Sequence, residues 1–237
     1  MEKEIELFKN MMRDCGNAVF FGGAGVSTES GIPDFRSVDG LYNQTYKYPP
    51  EVILSHTFFE KHTGEFYDFY RDKMIFKGAK PNKAHLALAK LESMGTLKAV
   101  ITQNIDGLHQ LAGSKNVLEL HGSVYRNYCV KCKKSYGIDV VGGDGVPACE
   151  CGGVIRPDVV LYEEPLESGV MSRAVEYVAR ADVLIVGGTS LSVYPAAGLI
   201  NYYSGDKLVL INKSATPFDK SADLLIQGSI GDVMGEI

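Results

Sequence analysis

Ile5, Phe8, Met12 and Cys15 recur at helical spacing and Gly16 follows as a stop, so one amphipathic helix is predicted at the start of the chain. Ala18 to Phe21 is then an unbroken apolar run ending in Gly22-Gly-Ala-Gly25, which predicts a buried strand, a tight turn and a following helix. Apolar runs of the same kind recur at 98–102, 117–120, 182–187 and 207–212, separated by segments of helical spacing at 84–94 and 167–180. Strands that alternate with helices in this way predict an α/β fold with a parallel, doubly wound sheet, whose ligand crevice lies at the carboxyl ends of the strands.

Two regions break the alternation. Residues 34–81 are rich in Tyr and Phe with helical segments between, and 122–154 hold four of the five cysteines. Both are predicted to be insertions that together make a smaller domain. The expected division is 1–33, 82–121 and 155–237 for the sheet domain, 34–81 for a helical module and 122–154 for a cysteine module. Most of the aromatics are expected to form a small core of their own.

The composition is that of an ordinary globular protein: 237 residues, 45% hydrophobic and 22% charged, enough for a sizeable core. The net charge of −5, from 24 basic and 29 acidic side chains, leaves no broad cationic surface, so direct nucleic-acid binding is not expected. Lys131, Lys133 and Lys134 beside the cysteines are the one hint of a zinc-ribbon adaptor for nucleic acid, and a solvated loop accounts for them equally. No apolar run reaches the roughly 18 residues that span a bilayer, and the first residues lack the order of a signal peptide, so no membrane partner and a cytoplasmic location are expected.

In such a compartment clustered cysteines point to metal rather than disulfides. Cys129-x-x-Cys132 and Cys149-x-Cys151 are close to the two-pair spacing of a zinc ribbon, with the second pair one residue short. Four thiolates fill a tetrahedral zinc and leave no position for water, so the metal would be structural. At the sheet, Gly23 and Gly25 meet half of the dinucleotide fingerprint G-x-G-x-x-G, with Thr28 in the place of its third glycine. Taken alone these glycines would equally serve a simple turn. Gly187-Gly-Thr-Ser190 and Asn212 close two further strands with small and hydrogen-bonding groups. His121, directly after the run 117–120, stands as a candidate general base, and 102–107 add two amides and a carboxylate.

The stretch Gly23-Ala-Gly-Val-Ser-Thr-Glu-Ser-Gly-Ile-Pro-Asp-Phe-Arg36, with Thr102-Gln-Asn-Ile-Asp106, His121-Gly122, the cysteine pairs and Arg156-Pro-Asp-Val-Val160, resembles the sirtuins from about Ala18 to the end of the chain. The resemblance implies a Rossmann-like domain beside a smaller domain of zinc ribbon and helical module, with NAD and an acetylated lysine of a protein or peptide meeting between them. It implies an NAD-dependent protein lysine deacetylase that passes the acyl group to ADP-ribose and releases nicotinamide, O-acetyl-ADP-ribose and free lysine. Transferred by position, it puts the pyrophosphate and ribose against Ala24, Thr28, Arg36, Gln103, Thr189, Ser190 and Asn212, and the adenine end at Ile230. Phe35, Ile105 and Asp106 would line the nicotinamide pocket, Asn104 would orient the ribose or a water, and His121 would be the general base. Zinc would be held by Cys129, Cys132, Cys149 and Cys151. Residues 159–161 would pair with the substrate backbone.

This chain departs from the resemblance at the C-x-C pair and at Tyr162-Glu-Glu164, where sirtuins usually carry Phe-Gly-Glu, so that Glu163 brings a charge to a glycine position. Sirtuins that remove succinyl groups resemble one another in a Tyr and an Arg three residues later, both turned to the acyl channel. Here Tyr67 matches the tyrosine and Tyr70 stands at the arginine position, with Arg71 and Lys73 beyond, so acetyl is expected to be preferred. An ADP-ribosyltransferase would share the NAD site, and a hydride-transferring dehydrogenase would share the sheet; the label from NAD and the absorbance of reduced nicotinamide separate them.

Overall fold

The computed structural model describes residues 1–35, 37 and 40–237. In chain order the elements are α1 (Glu2–Arg13), β1 (Ala18–Gly22), α2 (Pro50–Ile53), α3 (His56–Lys61), α4 (Thr63–Lys73), α5 (Lys83–Ser93), β2 (Leu97–Thr102), α6 (Leu108–Leu111), β3 (Val117–Glu119), β4 (Gly122–Cys129), β5 (Ser135–Tyr136), β6 (Ile155–Val159), α7 (Ser168–Arg180), β7 (Val183–Gly187), β8 (Leu208–Asn212), β9 (Leu224–Gln227) and α8 (Ile230–Gly235). Six strands form one sheet in the order β3-β2-β1-β7-β8-β9, all parallel. This is a Rossmann-like doubly wound arrangement, as the alternation of runs predicts. The order reverses between β1 and β7, and there the carboxyl ends of two adjacent strands open a crevice.

Helices cover both faces of this sheet because its central strands are buried throughout and alternate their side chains between two cores. Phe20, Val100, Ile185 and Ile211 face α1, α5 and α8, where Phe8, Met12, Leu88 and Met234 meet them. Phe21, Ile101, Leu184 and Leu210 face α7 and the 3₁₀ segment Ala196–Tyr202, where Ala174, Val178 and Leu199 pack. Cys15 lies beyond the end of α1 and is buried in the first of these cores.

A three-stranded antiparallel sheet, β5-β4-β6, carries the cysteines. Against it stand α2 to α4, whose Phe58, Phe59, Phe66, Tyr67 and Tyr70 form the aromatic core expected from the sequence, closed by Val124, Val159 and Leu161. Phe66 stacks on Tyr70 at 5.5 Å and meets Tyr67 edge-on at 5.3 Å.

Two elements differ from the sequence reading. After the glycine turn the chain forms two short 3₁₀ turns, Ala24–Val26 and Thr28–Ser30, in place of a helix, because Gly31 turns it at φ +83° and Pro33 follows. β9, an edge strand whose burial alternates with Leu225 exposed, has only Leu224-Leu-Ile226 as its apolar run, and the sequence reading passes over it. Among the described residues no helix is long and apolar enough to cross a membrane.

The two sheets join at Gly122, where φ is +79° and an added Cβ would lie 2.0 Å from the Asp158 carbonyl oxygen. Gly113 also has positive φ, +108°, but nothing stands within 4 Å of its Cβ position. Gly122→Ala should therefore cost about 3 kcal/mol or more, from strain plus a backbone clash, and Gly113→Ala only about 1 kcal/mol. Thermal unfolding of the two variants is the check: equal losses of Tm would contradict this account of the junction.

Candidate active site

A cleft of about 720 Å³ opens at the strand-order reversal and runs between the parallel sheet and the aromatic module. Its floor is made by close backbone approach. Gly25 donates its N–H to the Gly188 carbonyl at 2.8 Å, and a Cβ on Gly25 would meet that oxygen at 2.8 Å. Gly188 has φ +60°, and a Cβ there would lie 2.4 Å from the Val26 nitrogen. Glycine is required at both positions because no side chain fits between the two strand ends.

Along this floor the polar groups form a chain. The Gln103 amide donates to Thr189 Oγ1 at 3.0 Å, and the Thr189 N–H donates to Asn212 Oδ1 at 3.0 Å. Asn212 is 8% exposed, and among the described residues its Nδ2 has no partner. A buried donor without an acceptor is costly, so this amide is arranged for a ligand oxygen in the cleft. Thr28 Oγ1 donates to the Gly25 carbonyl at 3.0 Å, and Ile230 is buried against Gly187, where it closes the far end.

At the inner end Ser27 Oγ donates to Asp106 Oδ2 at 2.6 Å and accepts from Asn104 Nδ2 at 3.0 Å. Asp106 Oδ1 takes the Leu108 N–H at 2.9 Å, and burial pushes the Asp106 carboxyl up from its ordinary range. His121 follows β3 by two residues, and its Nδ1 lies 2.9 Å from the Gln103 carbonyl oxygen. A carbonyl only accepts, so Nδ1 carries the proton and Nε2 is left with its lone pair. Burial holds this imidazole below the ordinary histidine pKa, against the opposing bond to Gln103. A neutral, oriented imidazole is the protonation state that a general base needs.

The sequence-predicted residues Ala24, Thr28, Phe35, Gln103, Asn104, Ile105, Asp106, His121, Thr189, Ser190, Asn212 and Ile230 all line this one cleft. Arg36 falls outside the described residues. Ser27 has no role in the sequence reading, yet it joins Asn104 to Asp106; a hydroxyl directly after the glycine turn is the signal that marks it. Of the other histidines, His85 closes a capping box with Asn82 at the start of α5, and His56 bonds Glu164 at 2.7 Å.

The helical module differs in detail from the acyl-channel expectation. Tyr67 is fully buried, with its hydroxyl on the Ile155 carbonyl, and Arg71 reaches the carbonyls of Val141 and Gly145. Tyr70, Lys73 and Met74 line the cleft instead. Packing in the aromatic core buries both tyrosines, Tyr67 with its hydroxyl bonded and Tyr70 with a hydroxyl that has no partner among the described residues, and Tyr70 borders the cleft together with Lys73, three residues on.

About the cysteines, the four Sγ atoms lie within 4.8 Å of one another, with Cys129 to Cys151 at 3.5 Å and Cys132 to Cys149 at 3.6 Å. Tetrahedral zinc with bonds of about 2.3 Å separates its sulfurs by about 3.8 Å, so the set fits a zinc ion. The short C-x-C pair is accommodated by glycines: Gly152 has φ +76°, and a Cβ on Gly153 would sit 2.7 Å from Cys129 Sγ.

The Sir2 family profile matches residues 23–195. A protein from Clostridium tetani named NAD-dependent protein deacetylase is 62% identical over 234 residues, covering 97% of this chain and 95% of its own length. One of the same name from Clostridium acetobutylicum is 60% identical, covering 98% of this chain and 96% of its own length. Among solved structures, a Sir2 variant with a deacetylated p53 peptide and 3′-O-acetyl ADP-ribose has a TM-score of 0.90 at 42% identity, covering 98% of this chain and 96% of that one. A Sir2–p53 peptide–NAD⁺ complex has a TM-score of 0.86 at 43% identity, covering 97% and 95%. With a profile match over most of its length and relatives this similar, the chain belongs to the Sir2 family.

Proposed function

We infer that this chain is an NAD-dependent protein lysine deacetylase that transfers the acetyl group to ADP-ribose, with His121 as its general base. The observation that carries the reading is the His121 imidazole, half-buried, oriented through Nδ1 and open at Nε2, in the same cleft as the glycine floor and Asn212. It is supported by relatives named NAD-dependent protein deacetylase at 62% and 60% identity.

NAD, when bound, supplies a ribose carbon that loses nicotinamide and accepts the acyl oxygen. The protein's own part is to position and to move protons. The Gln103–Thr189–Asn212 chain and the glycine floor are assigned to the diphosphate and adenosine, with Ala24, Thr28, Ser190 and Arg36, and Ile230 borders the adenine. Phe35, Ile105 and Asp106 are assigned to the nicotinamide side. There Asn104, fixed by Ser27, presents its amide to a ribose hydroxyl or a water. His121 Nε2 takes a ribose hydroxyl proton so that the oxygen can attack the acyl carbon, whose bond to the lysine nitrogen then breaks to release the amine, with one water consumed in forming the acetyl ester. The proposed division of the chain into a sheet part (1–33, 82–121 and 155–237), a helical part (34–81) and a cysteine part (122–154) puts these groups along one seam. A cytoplasmic location belongs to the same reading, as does the lack of direct nucleic-acid binding, which the net charge of −5 supports.

His121→Ala should slow formation of deacetylated peptide and O-acetyl-ADP-ribose by about 100-fold or more. Because burial lowers the His121 pKa, the neutral base persists below the ordinary histidine range. The acid limb of kcat/KM should therefore fall below pH 6.5, and wild-type product formation retained by the alanine variant would contradict the assignment.

Zinc is assigned to Cys129, Cys132, Cys149 and Cys151 as a structural ion, since four thiolates leave it no open position. Binding energy there is folding energy. Freshly purified protein should hold one zinc per chain, and a chelator strong enough to remove it should abolish activity and lower Tm together. Full activity in metal-free protein would refute a structural role.

Acetyl is assigned as the preferred acyl group because Arg71 is committed to Val141 and Gly145, and Lys73 lies 3.0 Å from Asp72. On one peptide sequence, kcat/KM for acetyl-lysine should exceed that for succinyl-lysine by at least about tenfold, since a buried carboxylate without a free cation costs more than 1.4 kcal/mol. Equal values would show that Lys73 leaves Asp72 to serve the acyl group.

A further inference from the structure

Glu163 occupies a backbone position suited to glycine, with φ +75°, so its side chain is retained there against strain. The segment before it is held firmly. The Tyr162 N–H donates to the Leu54 carbonyl at 3.0 Å, its carbonyl accepts from the His56 N–H at 3.0 Å, and its hydroxyl meets that of Tyr42. Glu164 is consumed by Arg156, His56 and the Leu161 N–H. Glu163 is placed differently. Its Oε2 accepts from both the N–H and the hydroxyl of Thr57, at 2.9 and 2.7 Å, and these bonds hold the carboxyl below its usual range. The residue is exposed and lines both the cleft and an adjoining pocket of about 430 Å³, which shares Tyr162 with the cleft and includes Glu51 as well as Lys61 and His62, so that Glu163 is the charged group common to both.

A charged carboxylate is thus fixed at the end of the strand segment assigned to the substrate backbone, where two cavities meet. We propose that Glu163 is a specificity-determining residue that favours acetylated polypeptides carrying Lys or Arg close to the acetylated lysine. This rests on the deacetylase reading above and adds the class of sequence the site prefers. The cationic head pairs with Glu163 at the rim, and the aliphatic stem lies along exposed Tyr162 and Val52. Such a pair is solvent-exposed, so the expected preference is about two- to fivefold and is screened by salt. The opposing reading, in which Glu163 only anchors the strand to Thr57, predicts no charge preference.

Fluorescein-labelled acetyl-lysine peptides with Arg, Ala or Glu at each of the three positions on either side test it. Kd is read by anisotropy, and kcat/KM with NAD is read in parallel. Wild type should bind and turn over the Arg peptide two- to fivefold better than the Glu peptide at one or more positions, with the ratio shrinking in 0.5 M salt. Glu163→Gln, whose amide oxygen still accepts from Thr57, should bring the ratio to about one, and Glu163→Lys should invert it. A ratio unchanged in both variants, or a wild-type ratio of one at every position, overturns the proposal even while the acetyl peptide is turned over. A charge preference in Kd without any deacetylation would leave this proposal standing and sink the deacetylase reading.

Discussion

Between β1 and β7 two backbones touch, Gly25 to Gly188, and the whole cleft is laid out from that contact. The sheet reverses its strand order at this place, so no crossover helix fills the gap beyond the strand ends. The missing side chains keep the turns of the two strands together, and the chain of Gln103, Thr189 and Asn212 extends across three strand ends beside it. With a Cβ at either glycine the ends of β1 and β7 would be pushed apart, and the polar groups that depend on their spacing would lose register with one another.

The carbon skeleton of this arrangement was legible in the sequence because each central strand is buried on both faces and so reads as an unbroken apolar run. β9 was not, because its apolar run is only three residues, Leu224-Leu-Ile226, before the polar Gln227. The position of His121 was readable from its place after a strand, and the four-cysteine cluster from its spacing. What periodicity could not supply was orientation. Tyr67 and Tyr70 are both aromatic, three apart and fully buried, yet the Tyr67 hydroxyl is taken up by the Ile155 carbonyl while Tyr70 borders the cleft, a difference made by packing against β6 and the cysteine-bearing sheet. Ser27 was hidden for a related reason: its partners, Asn104 and Asp106, are about 80 residues away and meet it only in the folded chain.

The departure at Tyr162-Glu163-Glu164 shows how a local conflict is absorbed. A glutamate at positive φ would by itself count against the fold, but its carboxylate receives two hydrogen bonds from Thr57, and the flanking residues are tied to Leu54, His56 and Arg156. The strained residue is the middle one of three that each hold a different neighbour. The aromatic module and the antiparallel sheet are joined through it, so a feature that looks unfavourable in isolation has become part of the wall of the cleft.

His121 lies between the last residue of β3 and the first of β4, the point where the chain leaves one sheet and enters the other. Beside it Arg126 bridges Glu119 of the parallel sheet and Asp158 of the antiparallel one. The imidazole therefore stands at the seam where the two sheets are fastened, next to a backbone position that admits no Cβ, and its Nδ1 keeps its address on the parallel sheet through the Gln103 carbonyl.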